Sequence, residues 1–143
     1  MTCTFFGHRD CPDSIKPKLR ETLVHLITEK EVQRFLVGNQ GNFDALVYSV
    51  LCELRNIYPH ITVTVVLAYM PNEEIANKYG SDTILPEGIE AVPKRYAISW
   101  RNKWMIDQSE YVVTYVTRSF GGAAKFVERA FSKGKTVLNI FSQ

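Results

Sequence analysis

The sequence lacks several features that would assign it to a specialised class of protein. It has no apolar run of the roughly 20 residues that a membrane span needs; the richest run, 61–70, is too short and is interrupted by Thr62 and Thr64. The N-terminus has neither the charged start nor the long apolar core of a signal peptide. The three cysteines form no C-x-x-C pair, and an odd count without a secretion signal favours free thiols in a reducing compartment. We therefore expect a cytoplasmic protein that does not enter a membrane.

Strong charge and strong compositional bias are also absent. The formal net charge of +2 is too mild to require nucleic acid or an anionic lipid surface as a partner. Eight glycines and six prolines are too few for a collagen-like or low-complexity chain. A hydrophobic fraction of 45% over 143 residues is typical of one globular domain. A domain of this size buries roughly 70% of its unfolded surface and needs no disulfide or metal to fold.

The chain alternates apolar strand-like segments with amphipathic helical ones. Segments rich in β-branched and aromatic residues predict five strands, at 2–6, 34–37, 61–68, 111–116 and 136–140. Apolar residues at helical spacing lie between them, and this alternation predicts right-handed βαβ crossovers. We expect an α/β, Rossmann-like, three-layer α/β/α fold with a mostly parallel five-stranded sheet. It would form a single domain over 1–143, with an irregular insertion or lid at about 70–93.

Three loops of this predicted fold are rich in glycine and polar residues. They follow predicted strands, at 7–9, 38–42 and 117–122. Parallel sheets bind ligands beyond the carboxyl ends of their strands, near the point at which the strand order reverses. Position and composition therefore both predict a ligand site formed by these three loops.

The loop 117–122 carries the strongest local signal. Gly121 and Gly122, at the start of a predicted helix, would let a phosphate approach backbone N–H groups at the positive end of the helix dipole. Ser119 would add a hydroxyl donor and Arg118 a positive charge. The alternative is a tight strand-to-helix turn without a ligand, because the loop is neither a G-x-G-x-x-G fingerprint nor a Walker P-loop.

The loop 38–42 leads into a second strongly amphipathic helix. Gly38 would let the backbone approach a ligand, and Gly41 belongs to the same turn. Asn39 and Asp44 would contact the ribose or the base of a nucleotide. Alternatively, Asp44 stabilises the helix dipole from the first helical turn.

The remaining candidates lie on the first loop and on a predicted helix over 94–108. Gly7 would let the backbone approach a ligand, and Arg9 would pair bidentately with a phosphate. His8 is either a base or a hydrogen-bonding residue. Arg101 is either a solvated charge or a cation that points over the strand ends. No spacing of His and Cys indicates a metal site, and nothing indicates a bound cofactor.

Taken together, these residues resemble the SLOG superfamily, and the resemblance covers nearly the whole chain. This superfamily includes the Lonely Guy phosphoribohydrolases, long misnamed lysine decarboxylases, and the fold of DNA-processing protein A. The segments 5–9 (FFGHR) and 37–46 (VGNQGNFDAL) are typical of the group. The chain is most similar to its small stand-alone bacterial and phage members, whose function is unknown.

The resemblance also implies roles for individual residues. In the Lonely Guy enzymes an arginine stands four residues before a methionine, as Arg101 stands before Met105. A later Pro-Gly-Gly-x-Gly-Thr-x-x-Glu motif matches Gly121, Gly122 and Glu128. There the glycine turn holds a nucleoside 5′-monophosphate, while the arginine and the glutamate cleave the N-glycosidic bond. The motif's proline, third glycine and threonine are replaced in this chain by phenylalanine, alanine and lysine.

Three functions follow as hypotheses. The favoured one is a sensor or accessory module that binds a nucleotide or nucleotide-derived ligand. The second is an N-glycosidase acting on nucleoside 5′-monophosphates, in which Arg101 and Glu128 would be catalytic. The third, by analogy with DNA-processing protein A, is binding of single-stranded nucleic acid, which the modest charge disfavours. Relatives commonly dimerise, so a homodimer is expected.

Overall fold

The computed structural model describes residues 1–142, which form one sheet with helices on both faces. The strands are β1 (Thr2–Gly7), β2 (Arg34–Val37), β3 (Thr62–Val66), β4 (Thr83–Ile84), β5 (Tyr111–Tyr115) and β6 (Thr136–Asn139). The α-helices are α1 (Lys16–Glu29), α2 (Gly41–Ile57), α3 (Glu73–Tyr79), α4 (Ala97–Asp107) and α5 (Gly122–Ser132). The strand order is β4-β3-β2-β1-β5-β6, and every neighbouring pair is parallel. The predicted Rossmann-like α/β fold is confirmed.

The sheet has six strands, so the expected count of five is wrong. The additional strand, β4, lies inside the segment 70–93 and pairs in parallel with β3, Thr83 opposite Val65 and Ile84 opposite Val66. Two residues are too few to show the period-2 pattern by which strands are recognised. Part of the segment expected to be irregular therefore extends the sheet.

The two faces of the sheet bury different helices. Cys3 and Phe5 point to the side on which α1 and α2 pack, whereas Phe6 points to the side of α4 and α5. Both faces are apolar, as a parallel sheet covered by helices requires. Within residues 1–142, no helix is both long enough and apolar enough to cross a membrane.

A polar cluster fixes the position at which β4 joins the sheet. Arg55 of α2 donates two hydrogen bonds to the Asp82 carboxylate, from Nη1 to Oδ1 at 2.9 Å and from Nη2 to Oδ2 at 3.0 Å. The Tyr48 hydroxyl donates to the same Oδ2 at 2.7 Å. The hydrogen bonds from Arg55 hold the pKa of Asp82 below its ordinary value. Since Asp82 directly precedes β4, this cluster ties the edge strand to α2.

The last residue of β1 is a glycine because a ring occupies the space beside it. A Cβ built on Gly7 would overlap the ring of Phe43, which is fully buried in the first turn of α2. We expect Gly7→Ala to lower the free energy of unfolding by about 1–3 kcal/mol, the usual cost of overpacking a core, in urea titrations. Gly122→Ala is the control, because a Cβ there meets nothing within 4 Å. Equal stability of the two variants would contradict this account of Gly7.

Candidate functional site

A cleft of about 310 Å³ opens at the carboxyl end of β1, between α4 and the start of α5. The strand order of the sheet reverses between β1 and β5. The cleft therefore lies where parallel sheets of this kind bind their ligands. The lining residues are Phe5, Phe6, Gly7, His8, Arg9, Gln40, Asp44, Ile98, Arg101, Asn102, Met105, Arg118, Gly122, Ala123 and Phe126. Three of them are arginines and one is a carboxylate, so the cleft favours an anion.

Arg101 is the most deeply buried charge of the cleft. Only 1% of the residue is exposed. Its Nη1 donates to the Val66 carbonyl oxygen at 2.8 Å and to Asn39 Oδ1 at 3.3 Å, and its Nε donates to Asn102 Oδ1 at 2.7 Å. Burial lowers the pKa of Arg101, an effect that the charge of Asp44 opposes, but a guanidinium keeps its proton in proteins.

The guanidinium of Arg101 has no close counter-ion. Within residues 1–142, no carboxylate oxygen lies within 4.0 Å of it, and its Nη2 donates no hydrogen bond to the described residues. Buried charges are normally paired, because the loss of hydration is costly. Arg101 therefore lines the cleft with a positive charge that has no direct ion pair among the described residues, and with free N–H groups at Nη2.

Asp44 lies near Arg101, across the Cα of Gly38. A Cβ built on Gly38 would lie 2.9 Å from Asp44 Oδ2 and 3.3 Å from Arg101 Cζ, so any side chain here would push into both charged groups. Asp44 Oδ2 accepts a hydrogen bond from the Gln40 N–H at 2.9 Å. Burial raises the pKa of Asp44 to about 6, although that hydrogen bond and the charges of Arg101 and Arg9 act in the opposite direction. Asp44 therefore binds a backbone N–H at the start of α2 and also lines the cleft.

His8 joins the ends of β1 and β5 and is only 4% exposed. Its Nε2 accepts a hydrogen bond from the Thr117 N–H at 3.0 Å, so in the neutral imidazole Nδ1 carries the proton. Burial lowers the pKa of His8, and the positive charge of Arg118 lowers it further, while Asp10 opposes both effects. Nε2 already accepts a hydrogen bond from the backbone. Of the two roles considered for His8, a base or a hydrogen-bonding residue, the structure contains the hydrogen bond.

Two exposed arginines flank the cleft. Arg9 donates from Nη2 to Gln40 Oε1 at 2.9 Å. Arg118 lies 3.7 Å from an oxygen of Asp10, and its guanidinium is 5.5 Å from the centre of the Phe120 ring. Since surface pairs of this kind are weak, both cations can turn to a ligand at little cost.

The structure brings together seven of the residues predicted from sequence. These line the cleft: Gly7, His8, Arg9, Asp44, Arg101, Arg118 and Gly122. The residues of the 38–42 loop lie just behind it: Gly38 between two charged groups, Asn39 as an acceptor for Arg101, and Gly41 against the backbone of Arg9. The predicted loops therefore meet at one end of the sheet.

Three other predicted residues are not part of the lining. Ser119 and Gly121 are exposed on the turn before α5. Glu128 is exposed on α5, so the structure does not bring it to Arg101. Among the described residues, Asp44 is the carboxylate that lines the cleft.

Eight lining residues were not among the individual site candidates of the sequence analysis: Phe5, Phe6, Gln40, Ile98, Asn102, Met105, Ala123 and Phe126. One signal could have found part of this set. Ile98, Asn102 and Met105 recur at spacings of four and three residues, which places them on one helix face beside Arg101. The aromatic residues could not be distinguished from ordinary core.

The fold and the cleft define a class: a Rossmann-like α/β protein with a cationic cleft where the strand order of its sheet reverses. Compared with known proteins, the sequence matches no protein family and no curated protein at a significant level. Within residues 1–142, no three His, Cys, Asp or Glu side chains lie together in a way that could hold a metal ion. The cleft's own chemistry is therefore the basis for assigning a function.

Proposed function

We propose that the protein binds a nucleotide or a nucleotide-derived small molecule in this cleft, as a sensor or accessory module. The observation that carries the proposal is the buried guanidinium of Arg101, which faces the cleft without a carboxylate within 4.0 Å among the described residues. A bound anion would supply the missing counter-charge. Phosphate suits a guanidinium best, because its oxygens match the fork of N–H donors.

The start of α5 supports a phosphate in the same place. Gly122 and Ala123 line the cleft, and the first N–H groups of an α-helix have no acceptor within the helix. The residue before the helix is Gly121, and in the described part of the chain no side chain forms a cap hydrogen bond there. A phosphate between Arg101 and this helix end would receive hydrogen bonds from both and would lie in the favourable field of the helix dipole.

An exposed aromatic ring beside Arg118 supports a ligand with a planar ring. Phe120 is 69% exposed and lies beside Arg118, which itself lines the cleft. An exposed aromatic ring next to a guanidinium is a surface on which a base can stack. The amide groups of Gln40 and Asn102 and the carboxyl group of Asp44 offer hydrogen bonds to a sugar or a base edge. The resemblance to the SLOG superfamily favours the same class of ligand.

Thermal unfolding against a panel of ligands tests the proposal. The panel contains AMP, ATP, NAD, ADP-ribose, cyclic nucleotides and ribose 5-phosphate, with sodium sulfate at equal ionic strength as the control. A ligand at a hundred times its Kd adds about 2.7 kcal/mol to the free energy of unfolding. For a domain of this size, the midpoint would rise by roughly 5–10 °C. No shift with any of these compounds beyond that with sulfate would refute nucleotide binding.

Phe120 separates a nucleotide from a simple sugar phosphate. We expect Phe120→Ala to weaken binding of AMP about fivefold or more, since stacking of one base contributes about 1–3 kcal/mol, and to leave ribose 5-phosphate unaffected. Phe131→Ala is the matched control, because that ring is 63% exposed but lies near the far end of α5. Calorimetry on both ligands measures the four affinities. An equal loss for AMP and ribose 5-phosphate would remove the stacking role from Phe120.

A further inference from the structure

A second, larger cavity lies on the other side of the start of α4. Its volume is about 800 Å³, within the usual range for small-molecule sites. Its apolar wall comes from the end of β3, from the segment after β4 and from the first residue of α4, and includes Ala68, Leu85, Pro86, Ile89, Val92 and Ala97. We call this cavity the 68–97 groove.

The 68–97 groove is separate from the cationic cleft. No described residue lines both. Ala97 faces the groove, whereas Ile98 and Arg101, further along α4, line the cleft. The cleft carries three arginines and the groove none, so the two cavities suit ligands of different chemistry.

The rim of the groove carries apolar and aromatic side chains that remain open to solvent. Tyr69 and Met70 line it with 43% and 80% of their surface exposed. The Tyr69 hydroxyl donates to the Lys94 carbonyl oxygen at 2.9 Å, which fixes the tyrosine side chain at the rim. Apolar side chains that line an open cavity gain free energy when a ligand covers them.

The charged side chains of the groove are predominantly acidic. Glu87 and Glu90 line it together with one cation, Lys94. In the part of the chain that the structure describes, none of these three has an opposite charge within 4.0 Å. Two unpaired carboxylates against one ammonium leave the groove with an excess of negative charge, which attracts a cation.

We propose that the 68–97 groove is a binding site for a small molecule with an apolar or aromatic body and a protonated amine. The apolar wall covers the body of the molecule. Glu87 and Glu90 pair with the ammonium, and the face of the Tyr69 ring is available to the same cation. This proposal does not rest on the nucleotide proposed for the cleft.

A matched pair of probes tests the charge preference. 4-Phenylbutylamine and 4-phenylbutyrate share one apolar body and carry opposite charges. Calorimetry measures both affinities. Trp100 provides a second readout by fluorescence, because it packs against the apolar cluster of Ala68, Ile89 and Ala97. We expect the amine to bind at least about tenfold more tightly than the carboxylate, since an unpaired charge at a protein surface contributes on this scale.

Charge variants assign the preference to the groove. Replacing both Glu87 and Glu90 by glutamine should weaken binding of the amine about tenfold, and Lys94→Gln should strengthen it. The control changes two exposed glutamates of α3 that do not line the groove, Glu73 and Glu74, to glutamine. All five substituted residues in these three variants are exposed. We therefore expect the variants to fold, and circular dichroism checks this.

Several outcomes would overturn the proposal. Equal affinity for both probes, or no binding of either, would show that the groove does not select an amine. An equal effect of the α3 control would assign the preference to the overall field of the protein. Self-association that Met70→Glu abolishes, together with no binding of the amine, would identify a second copy of the chain as the occupant. Loss of an AMP-induced thermal shift in the Glu87 and Glu90 variant would show that the groove and the cleft are not separate sites.

Discussion

We expect an Arg101→Met variant to bind AMP at least about 30-fold more weakly than the native protein, because removing one partner of a buried, hydrogen-bonded charge pair costs about 2–5 kcal/mol. Arg101 is the cation of the cleft that lies almost entirely out of water. Its interaction with a phosphate is therefore screened least by solvent. Calorimetry with AMP and with ribose 5-phosphate measures the loss, which should be similar for the two ligands because both carry the phosphate.

The stability of the free protein separates a ligand-binding arginine from a structural one. Methionine is unbranched, like the aliphatic part of arginine, although it does not fill the volume of the guanidinium. Replacing buried charges by apolar side chains is often neutral or stabilising. The lost hydrogen bonds to the Val66 carbonyl oxygen, to Asn39 and to Asn102 oppose this gain. We therefore expect little net change in the free energy of unfolding without ligand.

A matched variant controls for the change in net charge. Arg20→Met removes one positive charge from α1, on the opposite face of the sheet from α4, and should bind AMP normally. Arg101→Lys keeps the charge but loses the planar fork of donors, so its affinity should be intermediate. Unchanged affinity in Arg101→Met, with a large loss of stability, would make Arg101 a structural residue and would refute the proposed site.

The secondary structure was largely predictable because strands and helices repeat with different periods. In α2, Phe43, Val47, Val50 and Leu54 recur at helical spacing, and all are fully buried. The position of the site was predictable for a related reason. Parallel strands bring their carboxyl ends to one edge, so loops far apart in sequence, such as 7–9 and 117–122, had to lie close together.

Other features depend on tertiary contacts that have no local signal. The sequence analysis left Arg101 as either solvated or directed over the strand ends, and the choice depends on acceptors from distant segments, Asn39 and Val66. Gly7 was expected to leave room for a ligand. The ring of Phe43 fills the space beside its Cα. A glycine in a sequence reports that something approaches the backbone but does not identify it.

Asp44 should make the stability of the protein depend on pH in the direction opposite to an ordinary carboxylate. Its pKa is raised to about 6 in the folded protein, from an ordinary value of 3.8. Well below pH 3.8 the group is protonated in both states and has no effect. Between about pH 4 and pH 6 the unfolded chain ionises first, so stability falls as the pH rises, and above pH 6 the penalty is complete. A shift of about two pKa units corresponds to about 3 kcal/mol.

An Asp44→Asn variant should remove this penalty. The amide oxygen can still accept the Gln40 N–H, but the side chain no longer ionises. The variant should match the native protein near pH 4 and be more stable at pH 8 by up to about 3 kcal/mol, as urea titrations at the two pH values would show.

Asp82→Asn provides a control of opposite sign. The hydrogen bonds from Arg55 lower the pKa of Asp82, so its contribution to stability is present at pH 8 and is lost as the pH falls through the lowered pKa. The Asp82 variant should therefore be destabilised at pH 8, where the Asp44 variant is stabilised. If Asp44→Asn were instead destabilising at pH 8, the Asp44 carboxylate would contribute more through its attraction to Arg101 than it loses by burial. Asp44 would then neutralise Arg101 within the protein. Both the pH prediction and the proposed binding of an external anion by Arg101 would be refuted.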